Sequence, residues 1–138
     1  MSHRLVNPPT LPAAVGYAHA VVAAPGSTVS LGGQVAAGPD GAIVGATLVD
    51  QFDLAAANVV RALAAAGARP ADLVSLHIYT TDVAEYRSSV PEIGAAYRRS
   101  FGRHYPAMAL FGVTALFDPA ALVELVGVAV IPHQPPAG

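Results

Sequence analysis

The sequence predicts a layered α/β or α+β domain in which two helices cover one face of a sheet. Three observations carry that prediction. Two segments repeat apolar residues at helical spacing, several others alternate or run on as strands, and the helical segments are interleaved with the strands. The order read along the chain is β, β, short β, α, β, α, β, β. Both helices then fall on one side, and no further helix exists to cover the other. Packing against sister copies of the chain is the simplest way to bury that second face.

The elements follow in order. Residues 1–15 carry Pro8, Pro9 and Pro12 and read as an extended arm. Tyr17 to Ala24 fits a strand ended by Pro25-Gly26, and Thr28 to Val35 fits a second. Gly38-Pro39-Asp40-Gly41 is a turn, with Ala42 to Gly45 returning as the other arm of a hairpin. Thr47-Leu48-Val49-Asp50 has the form of a helix N-terminus, and Phe52, Ala56, Val59, Val60 and Leu63 then share a helical face up to Gly67. Leu73 to Thr80 alternates as a strand, with His77 and Tyr79 opposite Leu76 and Ile78.

Ser89-Val90-Pro91-Glu92 reads as a capping box opening a second helix, with Ile93, Tyr97 and Phe101 on one face and an end near Gly102. Two apolar strands follow, Tyr105 to Thr114 and Leu122 to Ile131, separated by a turn at Phe117-Asp118-Pro119. Residues 133–138 form a proline-rich tail, so the expectation is a single domain over 1–138.

Composition narrows the function. Hydrophobic residues make up 54% of the chain and charged ones only 12%, well below the roughly 25% of an average soluble protein. That leaves more apolar surface than one small core needs and points to an oligomer. With net charge -2, no lysine and seven scattered arginines, there is no basic stripe for nucleic acid. No apolar signal core and no 18-residue uncharged run occurs, so neither a membrane partner nor a membrane span is expected, and a cytoplasmic location follows by default. The absence of cysteine excludes disulfides and thiolate chemistry.

The five histidines lie in the tails or on three separate elements without HxH or HExxH spacing, so neither a metal nor a cofactor is expected. No GxSxG elbow supports a hydrolase triad. Gly32-Gly33 ends a strand, where glycines either admit a ligand to the backbone or mark a bulge. Arg103 and His104, just before Pro106, are placed to line a cleft.

Glu124 stands apart. It interrupts an apolar strand and shares a face with Leu122, Val126 and Val128. A carboxylate among aliphatic neighbours suits proton transfer near neutral pH, or else it pairs with an arginine or backbone donors across a subunit interface.

Taken together, Tyr17-Ala18-His19-Ala20-Val21, Gly32-Gly33-Gln34, Asn58-Val59, Thr80-Thr81-Asp82, Pro106-Ala107 and Glu124 resemble the RidA (YjgF) family from about Asn7 to Ile131. The resemblance implies an α+β, chorismate-mutase-like fold with a mixed six-stranded sheet and two helices on one face. It also implies a homotrimer around a central barrel, with small-molecule clefts between subunits. Deaminase-type members of that family hydrolyse reactive enamines and imines, such as 2-aminoacrylate, to a 2-keto acid and ammonia.

By position, Tyr17 matches the pocket tyrosine, Gly33 the pocket-lining backbone and Glu124 the water-positioning acid. Where deaminase members carry an arginine after Pro-Ala, this chain has Met108. Losing a charge-assisted contact to the substrate carboxylate costs roughly 1.5 to 3 kcal/mol. The resemblance is therefore to a divergent member, and Met108 and Phe111 suit a more apolar ligand, with Arg103 or His104 as replacement cations. The expected activity is hydrolysis or another transformation of a C=N or enamine compound. A non-catalytic, metabolite-binding trimer or accessory protein of a biosynthetic pathway is the alternative.

Overall fold

In a computed structural model describing residues 2–134, four strands and three helices form the body of the chain. The sheet runs β3 (Gly26–Ser30), β6 (Val123–Pro132), β4 (Leu73–Thr80), β5 (Ala107–Gly112). β6 is antiparallel to both neighbours, whereas β4 and β5 are parallel, which makes the sheet mixed. β1 (Arg4–Val6) and β2 (Ala20–Val22) form a separate antiparallel ribbon. Six strands are thus present, divided four and two, and a single Ala18–Ala107 bridge ties the ribbon segment to the edge strand β5. The Pro8, Pro9 and Pro12 segment cannot donate to a ladder, so the arm pairs only through three residues on each side.

Helix α1 (Leu48–Ala65) begins where the sequence places it: Thr47 Oγ1 accepts from the Asp50 N–H at 3.1 Å. Its stripe of Phe52, Ala55, Ala56, Val59 and Leu63 is fully buried against β6 and against α3 (Val90–Phe101). Alanines in that stripe let the helix approach closely, and burying a side chain such as Phe52 stabilises by about 1.5–3 kcal/mol. Gln51 is buried beside them with its amide fully engaged, donating to Gly45 O and Ala120 O and accepting from Leu122 N. The bonds to Ala120 and Leu122 hold the chain entering β6, two residues before Glu124, and the bond to Gly45 holds the loop before α1. Asn58 donates to Val35 O and Ala37 O and so anchors the turn around Gly38, where the returning strand expected over Ala42 to Gly45 is reduced to a single Ala37–Ile43 bridge.

A short helix, α2 (Val83–Ser88), precedes α3 and brings the helix count to three rather than two. It also changes the expected cap. Ser89 is the N-cap residue of α3, yet its hydroxyl donates to Glu85 Oε1 at 3.1 Å instead of accepting from the helix, so the Ser89–Glu92 capping box does not form. At the other end Gly102, at φ 65°, closes α3 as expected.

The expected alternation of β4 holds from Leu76 to Thr80, and before it a register shift between Leu73 and Ser75 brings Leu73 into the core out of step. Leu73, Leu76 and Ile78 are buried under the helices, while His77 on the reverse face is exposed. Tyr17 to Ala24 is regular only from Ala20 to Val22, and Thr28 to Val35 only to Ser30. Of the last two strands β5 is shorter than expected while β6 matches the expected bounds to within one residue, and they are not neighbours, because β4 lies between them. The tail assigned to 133–138 lies outside the described residues beyond Gln134. No helix among the described residues is long and apolar enough to cross a membrane.

Candidate functional site

Residues paired across a ladder share a face, so the register decides which side of the sheet each candidate occupies. Tyr79 lies opposite Glu124 and His77 opposite Val126, which puts Glu124 on the open face away from the helices. Phe111 is there too, stacked on Tyr79 with ring centroids 5.3 Å apart and edge-on to His77 at 5.7 Å. Glu124 is half-buried. No ion pair or hydrogen bond engages its carboxylate among the described residues.

The Gly32-Gly33 pair explains how that carboxylate is seated. Leu31 N donates to Gly127 O, and Gln34 exchanges both backbone bonds with Leu125, so Gly32 and Gly33 together face Val126 alone. This two-against-one arrangement is a β-bulge. It brings the Gly33 backbone onto Glu124, and a methyl group built at Gly33 would collide with Glu124 Oε1. The bulge and the close approach are therefore one feature.

Met108 and Tyr17 occupy the other side. Met108 pairs with the buried Leu76 and packs against the core beneath α3, so it shares the helix face. Tyr17, Met108 and Tyr86 line a shallow cleft of about 310 Å³ beside β5. Gly16, Tyr86 and Met108 also border a second cavity of about 530 Å³ that runs along α3, between Phe52, Ile93 and Tyr97 on its floor and Arg98 at its side. The two spaces are continuous through those shared residues.

The cavity walls are apolar, and their hydroxyls are neutral. Burial pushes the Tyr86 phenol up to about 12. Burial, reinforced by Tyr105 and Tyr86, pushes the Tyr97 phenol up as well. Tyr97 spends its proton on His104 O at 2.6 Å, whereas Tyr86 has no hydrogen-bond partner among the described residues. Tyr105 stacks on Tyr97 at 5.2 Å and closes the end of the cavity.

The proposed replacement cations lie elsewhere. His104 Nε2 bonds to Leu73 O at 2.8 Å and lines a different depression with His3 and Arg69, and Arg103 is exposed in the turn after α3. Phe111 is on the open face with Glu124, away from Met108. Within one chain the candidates thus divide into a Gly33–Glu124–Phe111 group and a Tyr17–Met108 group on opposite faces of the sheet. Among the described residues no cluster of histidine, aspartate and glutamate could hold a metal ion.

Sequence reasoning missed Arg98 and Tyr86. One signal was available: Gly94 sits in the middle of a helix, where glycine is disfavoured, four residues before Arg98 and therefore on the same face.

A family model described as endoribonuclease L-PSP matches residues 9–131. A solved Rid-family protein of Yersinia pestis is 32% identical, with 95% of this chain and 100% of that chain covered at a TM-score of 0.86. A member of the YjgF/YER057c/UK114 family from Mycobacterium tuberculosis is 30% identical, covering 94% of this chain and 100% of that one at a TM-score of 0.63. No curated protein matches.

Proposed function

Because the chain belongs to the endoribonuclease L-PSP family, the Rid/YjgF proteins, we propose that it binds and hydrolyses a small reactive imine or enamine in a cleft shared between copies of the chain. The observation that carries this reading is the division of the candidates between two sheet faces. One copy would supply the Tyr17–Met108 wall, and the next would supply Gly33 and Glu124. A homotrimer of heterologous contacts brings two such different surfaces together, and it also covers the open face.

The chemistry asked of these residues is modest. An imine carbon is electrophilic, and water adds to it as a proton passes to nitrogen; the carbinolamine then collapses to a carbonyl compound and ammonia. An enamine first takes a proton on carbon to become the imine. Glu124 holds the water and transfers the protons, and Tyr17 orients the C=N group. Met108 removes the usual charged anchor, so the preferred substrate is more apolar than 2-aminoacrylate. Imines generated from a panel of amino acids by an amino-acid oxidase test this directly. Ammonia release should accelerate with the protein and fall at least about tenfold in Glu124→Gln, the low end for loss of a general acid/base. An unchanged rate for every amino acid would sink the reading.

A second reading, ligand binding without turnover, draws on the Met108 cavity itself, whose walls carry no carboxylate or histidine among the described residues. A thermal-shift screen of small carbonyl metabolites would then give stabilisation without ammonia release.

A further inference from the structure

We infer that the cavity along α3 takes an aromatic or branched-aliphatic carboxylate, or the imine of one, with the apolar group inside and the carboxylate on the Arg98 guanidinium. This rests on the cleft reading above and names its substrate class.

The cavity supplies the apolar half. Its volume of about 530 Å³ lies in the range of small-molecule sites and exceeds what a three-carbon acid fills. Phe52 and Ile93 are buried at its floor, and Met108 forms the wall that joins it to the Tyr17 cleft. Methionine is an adaptable surface for an aromatic ring.

Arg98 supplies the charged half. Among the described residues it is the one charged side chain bordering the cavity. The two ion pairs among the described residues, Arg69–Asp72 and Arg99–Asp53, leave its guanidinium unengaged. Its Nη1 lies over Gly94, only 3.3 Å from where a Cβ at that position would stand. The missing side chain at Gly94 is what lets the guanidinium fold back along α3 to the cavity edge. A planar guanidinium there can receive a carboxylate in a two-pronged contact. The Tyr86 phenol, protonated at neutral pH, adds a neutral donor between the guanidinium and the Tyr17 cleft. The chain thus has a cation for its ligand on a helix, one element away from the strand position that Met108 occupies.

Titrations of the full chain with phenylacetate, phenylacetamide and acetate, followed by NMR, test the assignment. Phenylacetate should bind at least about tenfold more tightly than acetate, the gain expected from burying an aromatic group. Arg98→Ala should weaken phenylacetate by about tenfold, a value set low because the guanidinium is exposed, and leave phenylacetamide unchanged. Arg98→Lys should keep part of the effect. Equal binding of acetate and phenylacetate, or an Arg98→Ala variant that is folded and binds phenylacetate as before, overturns the inference. Failure of the hydrolytic reading looks different: the phenylacetate pattern holds while no imine is turned over. Hydrolysis of small imines without any preference for aromatic carboxylates removes this inference and leaves that reading intact.

Discussion

The two faces of the central sheet are made from similar residues but meet different fates. On one, Leu76, Ile78 and Met108 lie beneath α1 and α3, and the packing there closes around Phe52 and Leu63 at zero exposure. On the other, His77, Tyr79, Phe111, Val126 and Glu124 stand with no helix of the chain above them, and Phe111 is 43% exposed. The helices cover the first face over β4 and β6 and leave it open only beside β5, where Met108 borders the cleft and Leu110 is 39% exposed. The second is apolar and aromatic, and it holds the only acid of the long strand β6. The contrast teaches that burial within one chain and suitability for burial are separate properties.

The largest effect expected from this contrast is on stability. Phe52→Ala should destabilise the fold by about 3–5 kcal/mol in chemical denaturation, the usual cost of emptying a packed aromatic site. Phe111→Ala should cost the folded chain under about 1.5 kcal/mol, because its ring keeps only Tyr79 and His77 as aromatic neighbours, and should instead weaken self-association measured by sedimentation. Equal losses of stability in the two variants would erase the distinction between the faces.

A smaller effect comes from the half-buried phenol of Tyr86. Its ordinary value of 10.0 rises to about 12 in the folded chain, so the folded state holds its proton more tightly than the unfolded one. The stability this contributes is full below pH 10 and is lost as pH rises toward 12. Tyr86→Phe should flatten the alkaline limb of the melting curve over that window. An unchanged limb would mean that the helix-face cavity is wetter than its walls indicate.

The smallest effect separates stability from binding. Gly94→Ala should raise stability by about 0.5–1 kcal/mol through helix propensity. The added methyl group would meet Arg98 Nη1, so binding of a carboxylate should weaken while the melting temperature rises. A variant that gains stability and keeps its affinity would show that the guanidinium does not need the space over Gly94.

Much of this was legible in the sequence, for reasons that particular residues make plain. The Thr47 cap, the stripe from Phe52 to Leu63 and the alternation of β4 are set by local periodicity and capping, which a single sequence carries in full. The Ser89 cap was misread because a six-residue helix ends at the same serine and takes its hydroxyl. The prolines of the arm concealed β1, whose pairing with β2 depends on a partner some sixteen residues away. The Gly33–Glu124 contact was half visible, since the glycine pair announced a bulge but not what would lie across it. Sides of the sheet were the hardest to read. Alternation ranks residues within a strand, but only the register of β4 against β5 and β6 shows that Met108 and Glu124 face opposite ways. Arg98 does not stand out among the seven scattered arginines, because cavity walls are made by tertiary packing.

The central claim, a site completed by two copies, is tested most directly by subunit complementation. Glu124→Gln and Tyr17→Phe are each expected to hydrolyse oxidase-generated imines poorly. Unfolded together in equal amounts and refolded, they should recover about a quarter of the wild-type rate, because random assembly into a heterologous ring joins the two intact walls at about that share of interfaces. A refolded mixture no faster than either variant alone, with the wild-type chain active after the same treatment, would contradict the account.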